Sequence, residues 1–468
     1  MTEEILNSVF KAYDIRGKTP EELTPEFFYN LGKAYVTRFK SASVAVGHDI
    51  RPESFTFKQS LIKGLLEMGC DVIDLGEIAT EMLYFAVGEY PALYDGGLVV
   101  TASHNPQGWN GCKIVAKGSS PVGKDTGLED LKSIMLSESY SPISLLSGKL
   151  SDTYIYPEFR QKILSFIKTD VRPDKPLEIV VDAGNGIGGR LFDYIFGNME
   201  GLNIKQMYFV PNGLFPNHVP DPMKEENITD LKKHVLEEKA DLGIAIDGDA
   251  DRVFFVDRKG RKPDGVYTGV LLAKHLLKNS DNKKIVHDPR ITWPFVKEAT
   301  NLGAETFQSI AGHAYFKKKM AEEQALFGAE ASSHFFYKDF YNCDSAMVSI
   351  ALLLDMYFAG FELTEAVDFL FEQYPNSGEV NYVVENSAET LAKLEKHYSK
   401  LGAKVEHIDG VSINFEDWRF NLRTSNTQPL IRLNLEAVNR SLVIEKFREV
   451  EALIGAKREN SPVIPELV

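Results

Sequence analysis

A chain of 468 residues exceeds what one hydrophobic core usually organises, so three or four domains are the expectation. Its 44% apolar and 25% charged residues are ordinary for a globular protein, and 52 basic against 67 acidic residues give a formal charge of −15. That balance argues against a broadly basic nucleic-acid surface, although an anionic substrate can still be held where arginines, lysines and backbone N–H groups gather locally.

The opening MTEEILNSVFKAYD carries early acids and no basic or long apolar stretch, so no signal peptide is expected, and no apolar run reaches membrane-spanning length. Nucleic acid and membrane are therefore not expected partners. Cys70, Cys112 and Cys343 lack metal-ligand spacing and fit a reducing, cytoplasmic setting.

Three segments then read alike. SVAVGHDIRP, EIVVDAGNGIGG and KIVHDPRITW each run from a short apolar stretch into an Asp and a turn, with Asp49, Asp182 and Asp288 at matching places. Each continues into a helix-period stretch and a second apolar run: CDVIDLG, LNIKQMYFV and AETFQSI. Strand, turn, helix and strand in that order predict a parallel pair with a crossover helix, its ligand-facing loop at the strand's carboxyl end. From about residue 371 the pattern changes to GEVNYVVE, VSINFEDWRFNLRT and PLIRLNLEA with two helical stretches, which predicts an α+β domain. The expected architecture is thus α/β: three similar domains with mixed or parallel sheets, over 1–148, 149–259 and 260–370, and an α+β domain over 371–468.

Four loops carry candidate chemistry. TASHNPQGWNGCKI, residues 101–114, follows an apolar strand, and Asn105-Pro106 with two glycines enforces a turn that presents Ser103 beside His104, with Lys113 beyond. A serine needs an activating imidazole or metal to act as a nucleophile, and taken alone a serine beside Asn-Pro is more often a turn or helix-cap residue. No G-x-S-x-G elbow surrounds it, which sets serine-hydrolase chemistry aside.

In DGDADR, Asp247, Asp249 and Asp251 alternate directly after the apolar run LGIAI. An extended backbone would point all three carboxylates one way, and a hard divalent cation would relieve their repulsion. EF-hand spacing is excluded by Arg252 and Arg258 at the sixth and twelfth places.

In AEASSHFFYKDF, residues 329–340, Glu330, Ser332 and His334 alternate ahead of Phe335, Phe336 and Tyr337. This suits a carboxylate clamp on sugar hydroxyls with aromatic rings against the apolar sugar face, or an exposed turn. In RTSNTQP, residues 423–429, Arg423 with Ser425, Asn426 and Thr427 suits a phosphate clamp in a turn, or a plain β-turn.

Together, in this order and spacing, the loops resemble those of the α-D-phosphohexomutase superfamily, in its phosphomannomutase and phosphomannomutase/phosphoglucomutase branch. The resemblance runs from FKAYDIRG at residues 10–17 to RTSNTQP, and TASHNP with DGDxDR is highly specific. It implies four domains around a central cleft and a hexose 6-phosphate/1-phosphate mutase, with mannose preferred and glucose also accepted. A phosphoglucosamine mutase is the alternative within the superfamily, and a metal-dependent sugar phosphatase the one outside it.

The resemblance further implies phosphoserine at Ser103, Mg²⁺ on Ser103, Asp247, Asp249 and Asp251, and Arg16, His104 and Lys113 near the transferring phosphoryl group. Glu330, Ser332 and His334 would face sugar hydroxyls, and Arg423, Ser425, Asn426 and Thr427 the resting phosphate. Tyr13, Arg252, Arg290 and His313 would also face substrate. Hexose 1,6-bisphosphate is implied as intermediate and activator, in a monomer or weak homodimer. A hinge near 371–377 is expected to let the last domain close. The sugar motif departs from the family pattern: Ala329 replaces a usual glycine in AEASSH.

Overall fold

The computed structural model describes residues 2–424, 430–461, 464 and 466, and its chain folds into two compact units. The first comprises Met1–Lys262, Gly312–Ala321 and His334–Phe361; the second comprises Pro263–Ala311, Glu322–Ser333 and Glu362–Val468.

In the first unit, strand Ser43–His48 lies parallel to Asp71–Glu77 on one side and to Gly96–Val100 on the other. Trp109–Ala116 returns antiparallel beside Gly96–Val100, and Ile15–Lys18 closes that side. Helices Pro25–Phe39 and Ser54–Glu67 cross closely over this sheet because glycines sit at the crossing. A Cβ on Gly64 would lie 2.1 Å from the Tyr29 carbonyl, and one on Gly32 2.5 Å from that of Leu61. Phe27, Phe28, Leu31, Leu61 and Leu65 fill the interface with Val44, Val46 and Leu98 of the sheet.

A second sheet orders Val253–Val256, Leu242–Ile246, Leu177–Asp182 and Leu202–Met207; its first pair is antiparallel and the rest are parallel.

In the second unit, Lys284–His287 runs parallel to both Glu305–Gln308 and Phe327–Ala329. All three repeats read from sequence thus form the parallel pair expected of them, and each Asp of the repeat falls at a strand's carboxyl end. The C-terminal sheet is antiparallel throughout, ordered Lys404–Glu406, Val411–Asn414, Trp418–Thr424, Leu430–Ala437, Asn376–Val383 and Lys457–Arg458. Helices Ser387–Lys400 and Arg440–Ile454 bury Leu394, Tyr398, Val443 and Phe447 against it.

The expected hinge segment 371–377 spans the end of helix Leu363–Gln373 and the start of strand Asn376–Val383. It lies inside the second unit, where Asn376 Nδ2 donates to Tyr267 Oη at 2.7 Å and Tyr267 donates to the Tyr374 carbonyl. A buried ion pair fastens the same unit further on. Arg419, 2% exposed, donates to Glu436 Oε1 at 2.7 Å and to the carbonyls of Pro289 and Arg290 at 2.8 and 3.2 Å. Glu436 also accepts the N–H groups of Thr292 and Trp293, at 2.8 and 3.1 Å, where helix Trp293–Thr300 begins. Glu436→Ala would strand a buried guanidinium and two helix N–H groups. We expect it to cost about 3–5 kcal/mol in urea unfolding of the second unit. A loss below about 1 kcal/mol, the range of an exposed pair, would show that the Arg419 charge is satisfied elsewhere.

Candidate functional site

Strand Gly96–Val100 is buried along its whole length, and the chain turns sharply at its end. Ser103 sits in this turn with φ +51°, a left-handed conformation that costs a non-glycine residue energy. Its N–H bonds Thr101 Oγ1 at 3.0 Å; its Oγ lies 3.1 Å from His104 Nδ1 and 3.4 Å from Asp247 Oδ2. Arg16, next door on Ile15–Lys18, pairs with Asp14 and donates to Asn105 Oδ1 at 2.7 Å. Lys113 projects from Trp109–Ala116 and is 4% exposed; it donates to Asp249 Oδ2 at 2.6 Å and also to Asp251 Oδ2.

The aspartate loop corrects one expectation. Residues 247–252 form a turn after strand Leu242–Ile246, not an extended run. Extended alternation would hold same-face side chains roughly 6.6 Å apart, yet one oxygen of each aspartate lies within 4.8 Å of the others. Ala250, at φ +61°, reverses the backbone, and Asp247 Oδ1 accepts the N–H groups of Asp251 and Arg252, both at 3.1 Å. Arg252 Nε holds Asp247 Oδ2 at 3.0 Å, and Thr80 Oγ1 holds Asp249 Oδ2 at 2.6 Å.

All three carboxylates are essentially inaccessible to water, and Asp249 Oδ1 and Asp251 Oδ1 have no hydrogen-bond partner among the described residues. Two buried, orphaned carboxylate oxygens aimed at one point fit a divalent cation with oxygen ligands. This turn packs directly on the serine turn, since a Cβ on Gly248 would lie 2.5 Å from the Ser103 carbonyl.

Electrostatics follow from this crowding. Burial opposes the Lys113 charge, but Asp249 and Asp251 outweigh it and raise its pKa. Burial and the neighbouring Asp251 push the Asp247 carboxyl well up, only partly countered by Arg252. Asp251 is held below the usual carboxylate range, because Lys113 and Arg252 overcome its desolvation. Burial, reinforced by surrounding cations, drives His104, His313 and His334 well below the ordinary imidazole value, so all three are neutral at pH 7.

His334 Nε2 stands 3.7 Å from Asp251 Oδ1 and 4.0 Å from Asp344 Oδ2. Lys317 Nζ lies 3.1 Å from Asp344 Oδ1 and 3.4 Å from the Tyr84 ring centroid, and His313 meets the Tyr13 ring edge-on at 4.9 Å.

The second unit carries its own set. Arg290 Nη2 donates to Asp288 Oδ2 at 2.6 Å and to Glu330 Oε1 at 3.3 Å, and its Nη1 lies 3.8 Å from Glu379. Arg423 and Arg432 converge on the same Glu379, at 3.3 and 3.2 Å. Burial raises the Glu330 pKa against the pull of Arg290, with the Ser332 hydroxyl bonded to the carboxylate. The three arginines hold Glu379 ionised below its ordinary value despite burial.

Two further readings are corrected here. Arg423 belongs to strand Trp418–Thr424 and is half-buried in an ion-pair network, rather than sitting in an exposed turn. Phe335, Phe336 and Tyr337 form a short strand and are at most 2% exposed, with Tyr337 bonded to Ser349, so they are core rather than a sugar platform. Ser425, Asn426 and Thr427 lie outside the described residues.

Sequence reasoning passed over Arg51, Thr80, Lys317, Asp344 and Glu379. A signal for Arg51 was present: His-Asp-x-Arg occurs at 48–51 and again at 287–290, in matching places of two repeats.

Known protein families match the chain domain by domain. Models of the phosphoglucomutase/phosphomannomutase alpha/beta/alpha domains I, II and III match residues 7–141, 157–260 and 264–374, and that of the C-terminal domain matches 379–453. A phosphomannomutase of Escherichia coli is 38% identical over 434 residues, 92% of this chain and 94% of its own. One of Vibrio cholerae is 37% identical over 460 residues, 95% of this chain and 98% of its own. The crystal structure of a phosphoglucomutase/phosphomannomutase family protein from Burkholderia thailandensis superposes with a TM-score of 0.87 at 27% identity, covering 98% of this chain and all of that one. With every domain of the family matched in order, the chain belongs to the phosphoglucomutase/phosphomannomutase family and is a phosphohexomutase, an isomerase of hexose phosphates.

Proposed function

We propose that the enzyme interconverts hexose 6-phosphate and hexose 1-phosphate through phospho-Ser103 and a hexose 1,6-bisphosphate, with mannose as its preferred sugar and glucose also accepted. The observation that carries this reading is the Ser103 hydroxyl, held on a left-handed turn within hydrogen-bond distance of His104 and against Asp247 of a buried aspartate trio. The support for mannose is the naming of the E. coli and V. cholerae relatives as phosphomannomutases.

Phosphoryl transfer asks chiefly for positioning and for neutralisation of charge spread over the phosphoryl oxygens. In the first half-reaction a hexose hydroxyl oxygen bonds to phosphorus as the bond from phosphorus to Ser103 Oγ breaks, and the hydroxyl proton ends on Oγ. His104, beside Oγ, is placed to carry that proton. The second half-reaction reverses these bonds at the other phosphate, leaving Ser103 phosphorylated.

Lys113, Arg16 and Arg252 provide fixed positive charge around the serine turn. Asp247, Asp249 and Asp251 would hold Mg²⁺, which supplies charge neutralisation when bound. Arg290, Glu330, Ser332 and Arg423 form the sugar-phosphate clamp, with Arg432 and Glu379 behind it. In the cell, the acidic chain is expected to work in the cytoplasm as a monomer or weak homodimer, with neither nucleic acid nor membrane as partner. Turnover of mannose 1-phosphate, glucose 1-phosphate and glucosamine 1-phosphate, compared directly, tests the sugar: glucosamine 1-phosphate turned over fastest would move the enzyme to the phosphoglucosamine branch.

Intact mass and peptide mapping of active enzyme are expected to place one phosphate on Ser103. Ser103→Ala should lose turnover by at least roughly a thousand-fold, since it removes the hydroxyl that forms the covalent intermediate. Phosphate found only on another residue would sink the mechanism.

Asp249→Asn is expected to weaken Mg²⁺ binding, followed by calorimetry, by about ten-fold or more, because one of three convergent charges is lost. Unchanged affinity in this and the matching Asp247 and Asp251 variants would remove the metal from the trio.

Arg423→Lys gives up a forked contact worth about 1.5–3 kcal/mol, so kcat/KM should fall roughly ten- to a hundred-fold. The fall should be similar for the 1-phosphate and the 6-phosphate, since both present a resting phosphate to the same guanidinium. Wild-type kinetics in both directions would confine Arg423 to its ion pair with Glu379.

A further inference from the structure

Arg51 is buried, yet it sits outside the roles assigned above. Its guanidinium has five N–H donors, and every one of them is spent. Nε donates to Asp49 Oδ2 at 3.2 Å. Nη1 donates to the carbonyls of Pro106 and Trp109, both at 3.0 Å. Nη2 donates to the carbonyls of Ser103 at 2.8 Å and Asn105 at 2.6 Å.

Four of the five bonds thus end on the backbone of the serine turn, one of them on the carbonyl of Ser103 itself. The remaining link closes a ring. Asp49 Oδ1 accepts from the Ser54 hydroxyl and from the Arg51 N–H, and Ser54 Oγ accepts from Asn110 Nδ2, at the start of the strand leaving the turn. On its open face the guanidinium lies 5.0 Å from the Phe215 ring centroid. Gly213 permits that approach, because a Cβ there would come within 2.7 Å of the Arg51 Cα.

The repeat shows what is particular about this arrangement. His287-Asp288-Pro289-Arg290 reproduces His48-Asp49-Ile50-Arg51 bond for bond near the backbone. The arginine N–H bonds the aspartate Oδ1 at 2.9 Å in one and 3.1 Å in the other, and the histidine Nδ1 meets the aspartate carbonyl at 2.8 and 2.7 Å. The side chains then diverge. Arg290 faces Glu330 and Glu379, and its buried Nε has no partner among the described residues, so it keeps donor capacity for a ligand. Arg51 keeps none.

We propose that Arg51 is a positioning residue for phosphoryl transfer, the member of a duplicated Asp-x-Arg brace that fixes the Ser103 turn while its twin faces the substrate. The brace holds the left-handed backbone of Ser103 in place through its carbonyl, so Oγ stays aimed as the phosphate arrives and departs. This inference rests on the proposal that Ser103 is the phosphoryl carrier.

The test compares wild type, Arg51→Lys and Arg51→Met, each charged with hexose 1,6-bisphosphate and scored for phosphate per folded chain. Arg51→Lys keeps the charge beneath Phe215 but can reach at most some of the carbonyls, and it keeps the experiment decisive if Arg51→Met fails to fold. A misplaced nucleophile costs on the order of a hundred-fold, so kcat is expected to fall roughly ten- to a hundred-fold in Arg51→Lys with KM within about three-fold of wild type. The ³¹P resonance of phospho-Ser103 should shift or broaden in the same variant. A raised KM with unchanged kcat would overturn the proposal, by making Arg51 a substrate ligand. A kcat loss fully accounted for by the unfolded fraction, with the ³¹P signal unmoved, would overturn it as well. Phosphate mapped in wild type to a residue other than Ser103 would remove the mechanism beneath it, an outcome distinct from normal kinetics in an Arg51→Lys enzyme that is phosphorylated on Ser103.

Discussion

Lys113 lies between two buried aspartates, and much of the first unit is arranged around that contact. Two carboxylates with no access to water cannot both stay ionised near one another without a fixed cation. Lys113 provides it from a strand whose register is set by pairing on both sides: Lys113 stands opposite Val99, and its neighbour Cys112 opposite both Val100 and Ile15. The ammonium position therefore inherits the rigidity of a sheet rather than the looseness of a loop. The aspartate turn is held to the serine turn through this lysine and through the close approach at Gly248, so the three parts form one rigid group.

The buried oxygens Asp249 Oδ1 and Asp251 Oδ1, with no hydrogen-bond partner among the described residues, leave room for a further cation beside Lys113, and the three nearby histidines, neutral through burial, do not supply one. A phosphoryl group on Ser103 would add negative charge there. The other unit has the opposite problem and a mirrored answer. Arg290, Arg423 and Arg432 converge on the ionised Glu379, which keeps three guanidinium groups together, with Asp288 as a further partner of Arg290. A chain of formal charge −15 thus gathers three guanidinium groups around internal carboxylates, and no basic surface is needed for that.

The sequence was informative wherever local patterning controls the outcome. Apolar runs ending in Asp placed all three parallel pairs and the loops at their carboxyl ends, because a strand buried on both faces must read as a continuous apolar stretch. TASHNP and DGDADR located the two turns that meet. What stayed hidden depends on backbone direction and on partners distant in sequence. Alternation of Asp247, Asp249 and Asp251 suggested an extended run, but one left-handed residue at Ala250 gathers the carboxylates instead. The aromatic trio after His334 looked ligand-facing, yet strand pairing with Cys343-Asp344 turns it into the core. Nothing local to segment 371–377 shows that Tyr267, more than a hundred residues earlier, bonds it. Glu379 was invisible for the same reason: its meaning comes from three arginines that the fold delivers.

The three candidate loops on described backbone share one device. Ser103, Ala250 and Ser333 each adopt positive φ, at +51°, +61° and +66°, and none is glycine. Glycine at these places would remove the strain, but it would also widen the conformations open to each turn. The side-chain-bearing residue accepts a small local cost and gains a narrower ensemble, provided the surroundings enforce the conformation. Those surroundings are on hand at each turn. Arg51 grips the carbonyl of Ser103, Asp247 accepts the two N–H groups that follow Ala250, and the N–H of Ser333 closes onto the Glu330 carbonyl at 2.9 Å. Asp288 adds a second tie to the last loop by accepting the Ala331 N–H at 2.7 Å. In each case a buried charged residue satisfies or steadies backbone groups that the kinked turn leaves unpaired by its neighbours. The polar side chains in these regions are thus divided between those proposed to face a substrate and those, such as Arg51 and Asp288, that hold the backbone of the turns.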